Sequence, residues 1–123
     1  MIQSSYITLP QPSNPTTFRK LSFREWGDFQ NKDVVLCVHG LSRNARDFDC
    51  LAQALSTRYR VICPDMAGRG DSGWLDNKND YNYLTYISDI AALLMYLKVA
   101  RVDWVGTSMG GIIGMMLAAQ QPL

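Results

Sequence analysis

The chain has 123 residues, with 12 lysines and arginines against 11 aspartates and glutamates, for a formal charge of +1 at pH 7. Hydrophobic residues make up 47% and charged residues 19%, a globular balance that argues against disorder and leaves no electrostatic footprint for nucleic acid or an anionic membrane. No run approaches the ~18 apolar residues of a membrane span, and residues 1–15 lack a basic start followed by an apolar stretch, so no membrane anchor or secretory signal is expected.

In chain order, Tyr6, Ile7 and Leu9 predict a short strand. Residues 10–15, with Pro10, Pro12, Pro15, Ser13 and Asn14, read as a turn or loop. From Lys20 to Trp26 polar and apolar residues alternate roughly, as in a half-exposed strand, with Phe18 just ahead of it. Residues 34–38, Val-Val-Leu-Cys-Val, form a continuous apolar run, the pattern of a strand covered on both faces of a parallel sheet. Phe48, Leu51, Ala52 and Leu55 have the spacing of one helix face, and Asn44 with Asp47 suits its cap. Residues 60–63 predict a second buried strand, closed by Pro64 and followed by a glycine-rich turn over residues 67–73. Leu84, Ile87, Ile90, Ala91, Leu94 and Leu97 recur every three or four positions and predict a helix. Residues 102–105 predict a third buried strand. It runs through Gly106 into residues 112–119, a helix apolar nearly all round, which should lie between other elements and which Pro122 limits.

Strands alternating with helices predict a doubly wound, mostly parallel α/β sheet with helices on both faces. The chain stops just after its most apolar helix, which suggests the front portion of something larger. Its three cysteines, Cys37, Cys50 and Cys63, are odd in number, and two sit in apolar runs. They read as reduced thiols serving as small hydrophobes in a reducing, cytoplasmic setting. Together with His39 they lack close ligand spacing, so neither a metal nor another cofactor is implied.

Gly106-Thr107-Ser108-Met109-Gly110 matches G-x-S-x-G between an apolar strand and an apolar helix. Such a strand must turn sharply into its helix, and the central residue takes a strained backbone. Small neighbours two positions away let strand and helix approach, and Gly111 adds room. The turn would lift the Ser108 hydroxyl above the C-terminal edge of the sheet, beside helix N-terminal amides suited to an oxyanion. The competing reading is a serine in a tight turn with no catalytic duty.

Three motifs in this order, "VVLCVHGLSRNARDF", "YRVICPDMAGRGDSG" and "VDWVGTSMGG", resemble the α/β-hydrolase superfamily, and "LSFREWG" is similar to that family's second strand. The resemblance implies residues 1–123 as the N-terminal portion of one α/β-hydrolase domain, with strands 1–5 and the first three helices but without cap insertion or C-terminal strands. It implies Ser108 as nucleophile and the backbone N–H groups of Leu41 and Met109 as oxyanion donors, with Ser42 as a substitute donor if the loop differs. It makes His39, of the His39-Gly40 pair, a support of the oxyanion loop. As a direct base for Ser108, His39 would have to lie within ~3 Å of the hydroxyl.

Gly68-Arg69-Gly70-Asp71-Ser72-Gly73 also fits the letters of a dinucleotide fingerprint, but the polar residues after Trp74 predict loop where that motif needs a helix. Asp65 and Asp71 have no partner histidine and read as turn and loop residues. Tyr81, Tyr83, Tyr86 and Phe48 read as packing residues, and Trp74 as either a packing or a pocket residue.

The family's triad continues with an acid and then a histidine, and residues 109–123 contain neither. The expected function is therefore a serine hydrolase of carboxylic ester or related carbonyl substrates, incomplete in this chain. Carbon–carbon bond hydrolysis, perhydrolysis and acyl transfer are further activities of the scaffold, and a serine at position 108 speaks against its dehalogenase and epoxide-hydrolase branches, which use aspartate there. The alternative is a non-catalytic binding module or the relic of a hydrolase gene. The edge of the strand at residues 102–105 is expected to be unpaired and open to self-association.

Overall fold

The computed structural model describes residues 2–120. An antiparallel hairpin, β1 (Ile2–Gln11) and β2 (Asn14–Trp26), opens the chain. The loop expected over residues 10–15 thus shrinks to Pro12 and Ser13. Pro10 lies inside a strand because β1 is the sheet's outer strand, where a missing N–H costs no ladder bond. The register shifts next to it, and Pro15 falls in the resulting bulge between Asn14, opposite Gln11, and Phe18, opposite Pro10.

The rest alternates: β3 (Val34–Val38), a 3-10 turn (Ala45–Phe48) leading into α1 (Asp49–Leu55), β4 (Arg60–Pro64), α2 (Tyr83–Tyr96), β5 (Asp103–Gly106) and α3 (Met109–Ala119). The five strands form one mixed sheet in the order β1-β2-β4-β3-β5. Its β4-β3-β5 half is parallel, and the hairpin joins β4 antiparallel through residues 23–26.

β3 lies inside this sheet, and its side chains alternate between two cores. Val34, Leu36 and Val38 pack under α2 and α3 with Leu21, Phe23, Ile62, Ile90, Leu93 and Ile113. Val35 and Cys37 pack on the other face with Phe48, Ala52, Val61 and Cys63 under α1. Burial of each fully enclosed Leu or Ile contributes about 1.5–3 kcal/mol. Helices therefore cover both faces, as a doubly wound sheet requires.

Several elements differ from the pattern reading. β2 is not half-exposed near its end, because Glu25 is buried in an ion pair with Arg60 and Trp26 packs toward α1. Phe18 faces solvent while its neighbour Arg19 is buried against Asp89 of α2, Nη1 and Nη2 each 2.7 Å from a carboxylate oxygen. Leu51 of α1 is exposed. On α2 the buried face runs through Tyr86, Ile87, Ile90 and Leu93, leaving Ala91 outside and Leu84 75% exposed. α3 does not lie wholly between other elements: Met109, Gly110 and Ile113 are buried, whereas Ile112, Met116 and, at 67%, Met115 are exposed. Pro122 lies outside the described residues. No helix among the described residues is long and apolar enough to cross a membrane.

Candidate active site

β3 and β5 run parallel with Val38 opposite Gly106, so the residues that follow each strand leave the sheet side by side. After β5 the backbone takes φ 52° and ψ −115° at Ser108, one of two non-glycine residues with positive φ among the described residues. A conformation of this kind costs on the order of 1–3 kcal/mol and persists only where its surroundings impose it. Here Thr107 N–H donates to Val38 O at 3.1 Å, while Gly111 and Ile112 N–H donate to Ser108 O at 3.0 and 3.2 Å. The two flanking glycines make the close turn possible. A Cβ on Gly106 would stand 2.5 Å from Gly110 C and Gly111 N, and one on Gly110 would collide with Val38 O. The Ser108 side chain is exposed, Met109 is buried, and the Met109 N–H lies in the first turn of α3, where amides have no intrahelical partner.

The loop after β3 reaches this turn. A Cβ on Gly40 would be 3.5 Å from Ser108 Cβ and 3.6 Å from Thr107 O. His39 is fully buried, with Nδ1 2.7 Å from Gly40 O and Nε2 accepting Met66 N–H at 2.9 Å. These partners require a neutral ring with its proton on Nδ1. Burial holds its pKa below the ordinary 6.5, against the pull of Gly40 O and the Asp65 charge. Both ring nitrogens are thus engaged within the chain, and neither is directed at Ser108. Gly40 O also accepts Arg43 N–H at 3.1 Å, and the Leu41 N–H is not used in that turn. Because a trans peptide aims its C=O and N–H oppositely, pinning Gly40 O fixes the direction of the Leu41 N–H. The Leu41 and Ser42 side chains are exposed, Leu41 at 63%. Arg43 grips Asp47 with two bonds of 2.8 and 2.9 Å, which holds the Asp47 carboxyl below its usual range.

Asp65 is more than the turn residue the pattern suggested. Its buried carboxylate accepts Ala45 N–H at 2.8 Å, Ser22 Oγ–H at 2.9 Å and Asp71 N–H at 3.0 Å, tying together the post-β3 loop, the hairpin and the glycine-rich turn. That turn continues into loop, not helix, so it offers no dinucleotide cradle. Arg69 within it reaches Leu41 O, Ala67 O and Tyr86 Oη. Spacing gave no sign of the ties to Ser22, Leu41, Ala45 and Tyr86, because those partners lie 17 to 43 positions away on other elements.

Of the aromatic residues, Phe48 and Tyr86 are buried, Tyr81 Oη accepts Leu75 N–H at 2.9 Å, and the Trp74 ring is 78% exposed. Cys37 and Cys63 are buried free thiols, whereas Cys50 is exposed and does not serve as a core hydrophobe. The Cys63 thiol is pushed up by its hydrogen bond with Cys37 and by burial. Among the described residues no three His, Cys, Asp or Glu side chains gather as a metal site. Grooves of about 370 and 360 Å³, between the hairpin and α2 and between α2, β5 and α3, do not include Ser108 in their walls.

A strained, exposed serine between a parallel strand and its helix, with a second strand's loop at its side, is the local geometry of an α/β-hydrolase. A family model described as the alpha/beta hydrolase fold matches residues 33–123, and the chain belongs to that family. It is 48% identical over 118 residues to a 3-hydroxybutyrate-oligomer hydrolase of Cupriavidus necator, covering 96% of this chain and 40% of that protein. Among solved structures it is similar to an alpha/beta hydrolase from Novosphingobium aromaticivorans, with a TM-score of 0.84, 39% identity and coverage of 98% of this chain and 40% of that one. It is also similar to an epoxide hydrolase from Vigna radiata, with a TM-score of 0.80, 28% identity and coverage of 97% and 36%. The chain thus spans about two fifths of the length of these relatives.

Proposed function

We propose that this chain carries the nucleophile and oxyanion hole of a serine hydrolase for carboxylic esters. The observation that carries the reading is the exposed Ser108 at φ 52° with the Gly40 loop against it. In this mechanism Ser108 Oγ attacks the ester carbonyl carbon as a base removes its proton. The carbonyl oxygen becomes an oxyanion facing the N–H groups of Leu41 and Met109. Collapse expels the alcohol, which takes up the proton, and water then hydrolyses the acyl-serine. An oxyanion donor of this kind is worth about 10²–10³ in rate.

The 48% identity to a 3-hydroxybutyrate-oligomer hydrolase favours esters over carbon–carbon bonds, since such oligomers are joined by ester links, and makes short hydroxyacid oligoesters the first substrates to try. The single histidine is engaged on both nitrogens, which supports a general base and its orienting acid supplied from beyond these 123 residues. The 123-residue chain alone should therefore turn over activated esters feebly.

The test is fluorophosphonate labelling and hydrolysis of p-nitrophenyl butyrate and a 3-hydroxybutyrate dimer by the full-length protein. Wild type is expected to label and hydrolyse, and Ser108→Ala to do neither. Labelling that persists undiminished in Ser108→Ala, or a wild type that neither labels nor hydrolyses, sinks the reading.

A further inference from the structure

We infer that Arg69 is a positioning residue for the oxyanion loop, holding the Leu41 carbonyl so that the Leu41 N–H keeps its aim at the reacting oxygen. The inference rests on the assignment of Ser108 and Leu41 proposed above.

The loop needs a second restraint. His39 and Arg43 fix the carbonyl of Gly40. The next carbonyl, Leu41 O, belongs to a residue whose side chain is exposed and holds nothing in place. Arg69 Nε donates to that oxygen at 2.9 Å, so the peptides on both sides of the Leu41 Cα are pinned, one from each side.

The guanidinium that does this is itself held. Arg69 Nη1 donates to Ala67 O at 3.0 Å and to Tyr86 Oη at 2.9 Å. Its carbon lies 5.3 Å from the Tyr86 ring centroid and 5.8 Å from that of Tyr81. Tyr86 is buried on α2, and Tyr81 is tied by its hydroxyl to Leu75 N–H. Arg69 takes part in none of the ion pairs among the described residues. Its donors and its planar face go to carbonyls and rings, a use that lysine, a point charge without a fork, cannot reproduce. The loop beside Ser108 is in this way coupled to α2, the helix that carries the main core.

The two roles that Arg69 could have separate in a titration of active sites. In the full-length protein, Arg69→Met keeps the aliphatic stem and removes every donor. If Arg69 only supported folding, the fraction of molecules that fluorophosphonate labels at saturation would fall, and the survivors would react at the wild-type rate. Positioning predicts the opposite: unchanged stoichiometry and a phosphonylation rate constant lower by about 10- to 100-fold, the scale of a displaced oxyanion donor. For p-nitrophenyl butyrate kcat should fall by the same factor with KM within about 2-fold, and Arg69→Lys should restore little of the loss. A wild-type rate constant in Arg69→Met overturns the inference while leaving Ser108 as nucleophile. Loss of all labelling in the wild type, or its survival in Ser108→Ala, strikes the underlying assignment instead. Should Arg69→Met fail to fold, the rate constant of Arg69→Lys decides: a value about 3-fold or more below wild type supports positioning, and a smaller change overturns it.

Discussion

At Ser108 a left-handed backbone and an exposed hydroxyl occur together because Gly106 and Gly110 let strand and helix close on each other. That demand is purely steric and local, so it was legible in the sequence. His39 was singled out only through the family resemblance of the His39-Gly40 pair, not by a local steric demand. What could not be read were its partners: Met66 N–H is 27 positions away and carries no side-chain signal. Asp65 and Arg69 escaped for a related reason, since each is held in part by a backbone group of the distant loop after β3, Ala45 N–H for Asp65 and Leu41 O for Arg69. The His39 contacts give a pH dependence with a definite sign. The ring must be neutral to accept Met66 N–H, and burial lowers its pKa from 6.5 despite the nearby Asp65 and Asp47, with Arg69 adding to the lowering. In the unfolded chain the ring takes its proton near 6.5, so below that pH the unfolded state binds more protons than the native one. His39 stability is whole above pH 6.5 and drains as pH falls through the lowered native value. Urea unfolding of the 123-residue chain should show stability dropping as pH falls below about 6.5, with a shallower drop in His39→Gln, since His39 is its only histidine. Equal slopes for the two proteins would contradict it.

Among elements, the continuous apolar runs of β3 and β4 announced themselves because both faces of those strands are covered. The strand expected at residues 102–105 forms as β5 but is not buried: Asp103 is exposed and Trp104 and Val105 are half-buried, because β5 ends the sheet with only β3 beside it. The hairpin did not, for its length depends on long-range register with a bulge that admits Pro10 and Pro15. The buried face of α2 was misjudged at Leu84 and Ala91 because a charged residue, Asp89, occupies that face, and no apolar pattern can reveal it. α2 also ends without a glycine: Lys98 itself takes φ 59° beyond the helix C-cap. Asp89 joins α2 to β2 through the two-point contact with Arg19, both side chains at most 4% exposed. Removing one partner strands the other charge in the interior. Asp89→Ala should therefore cost about 3–5 kcal/mol, while Arg19→Met with Asp89→Leu should cost much less, because no unpaired charge remains. Urea midpoints of the two variants would check this. A single variant as stable as the double would mean that the pair holds the hairpin less tightly than its geometry implies.

For the whole molecule, the alternation of strand and helix was enough to predict helices on both faces of one sheet. It could not predict that α3 would be covered on one side only. β5 is the last strand of the sheet, hydrogen-bonded to β3 on one side, and Ile112, Met115 and Met116 of the adjoining α3 are exposed. An apolar helix face beside an open strand edge favours association, since both apolar area and unmet backbone groups can be covered at once. The driving force is apolar and the chain is nearly neutral at +1, so neither charge repulsion nor salt should oppose it. Sedimentation or light scattering of the 123-residue chain should accordingly show mass rising with concentration, little changed by about 0.5 M salt. Met115→Lys with Ile112→Lys places two charges on that face without touching the buried Ile113, and should shift the chain toward monomer at unchanged helix content. A wild-type chain that stays monomeric at high concentration would show that the edge and the apolar face are protected in some other way. Association undiminished in the double variant would move the contact to another surface.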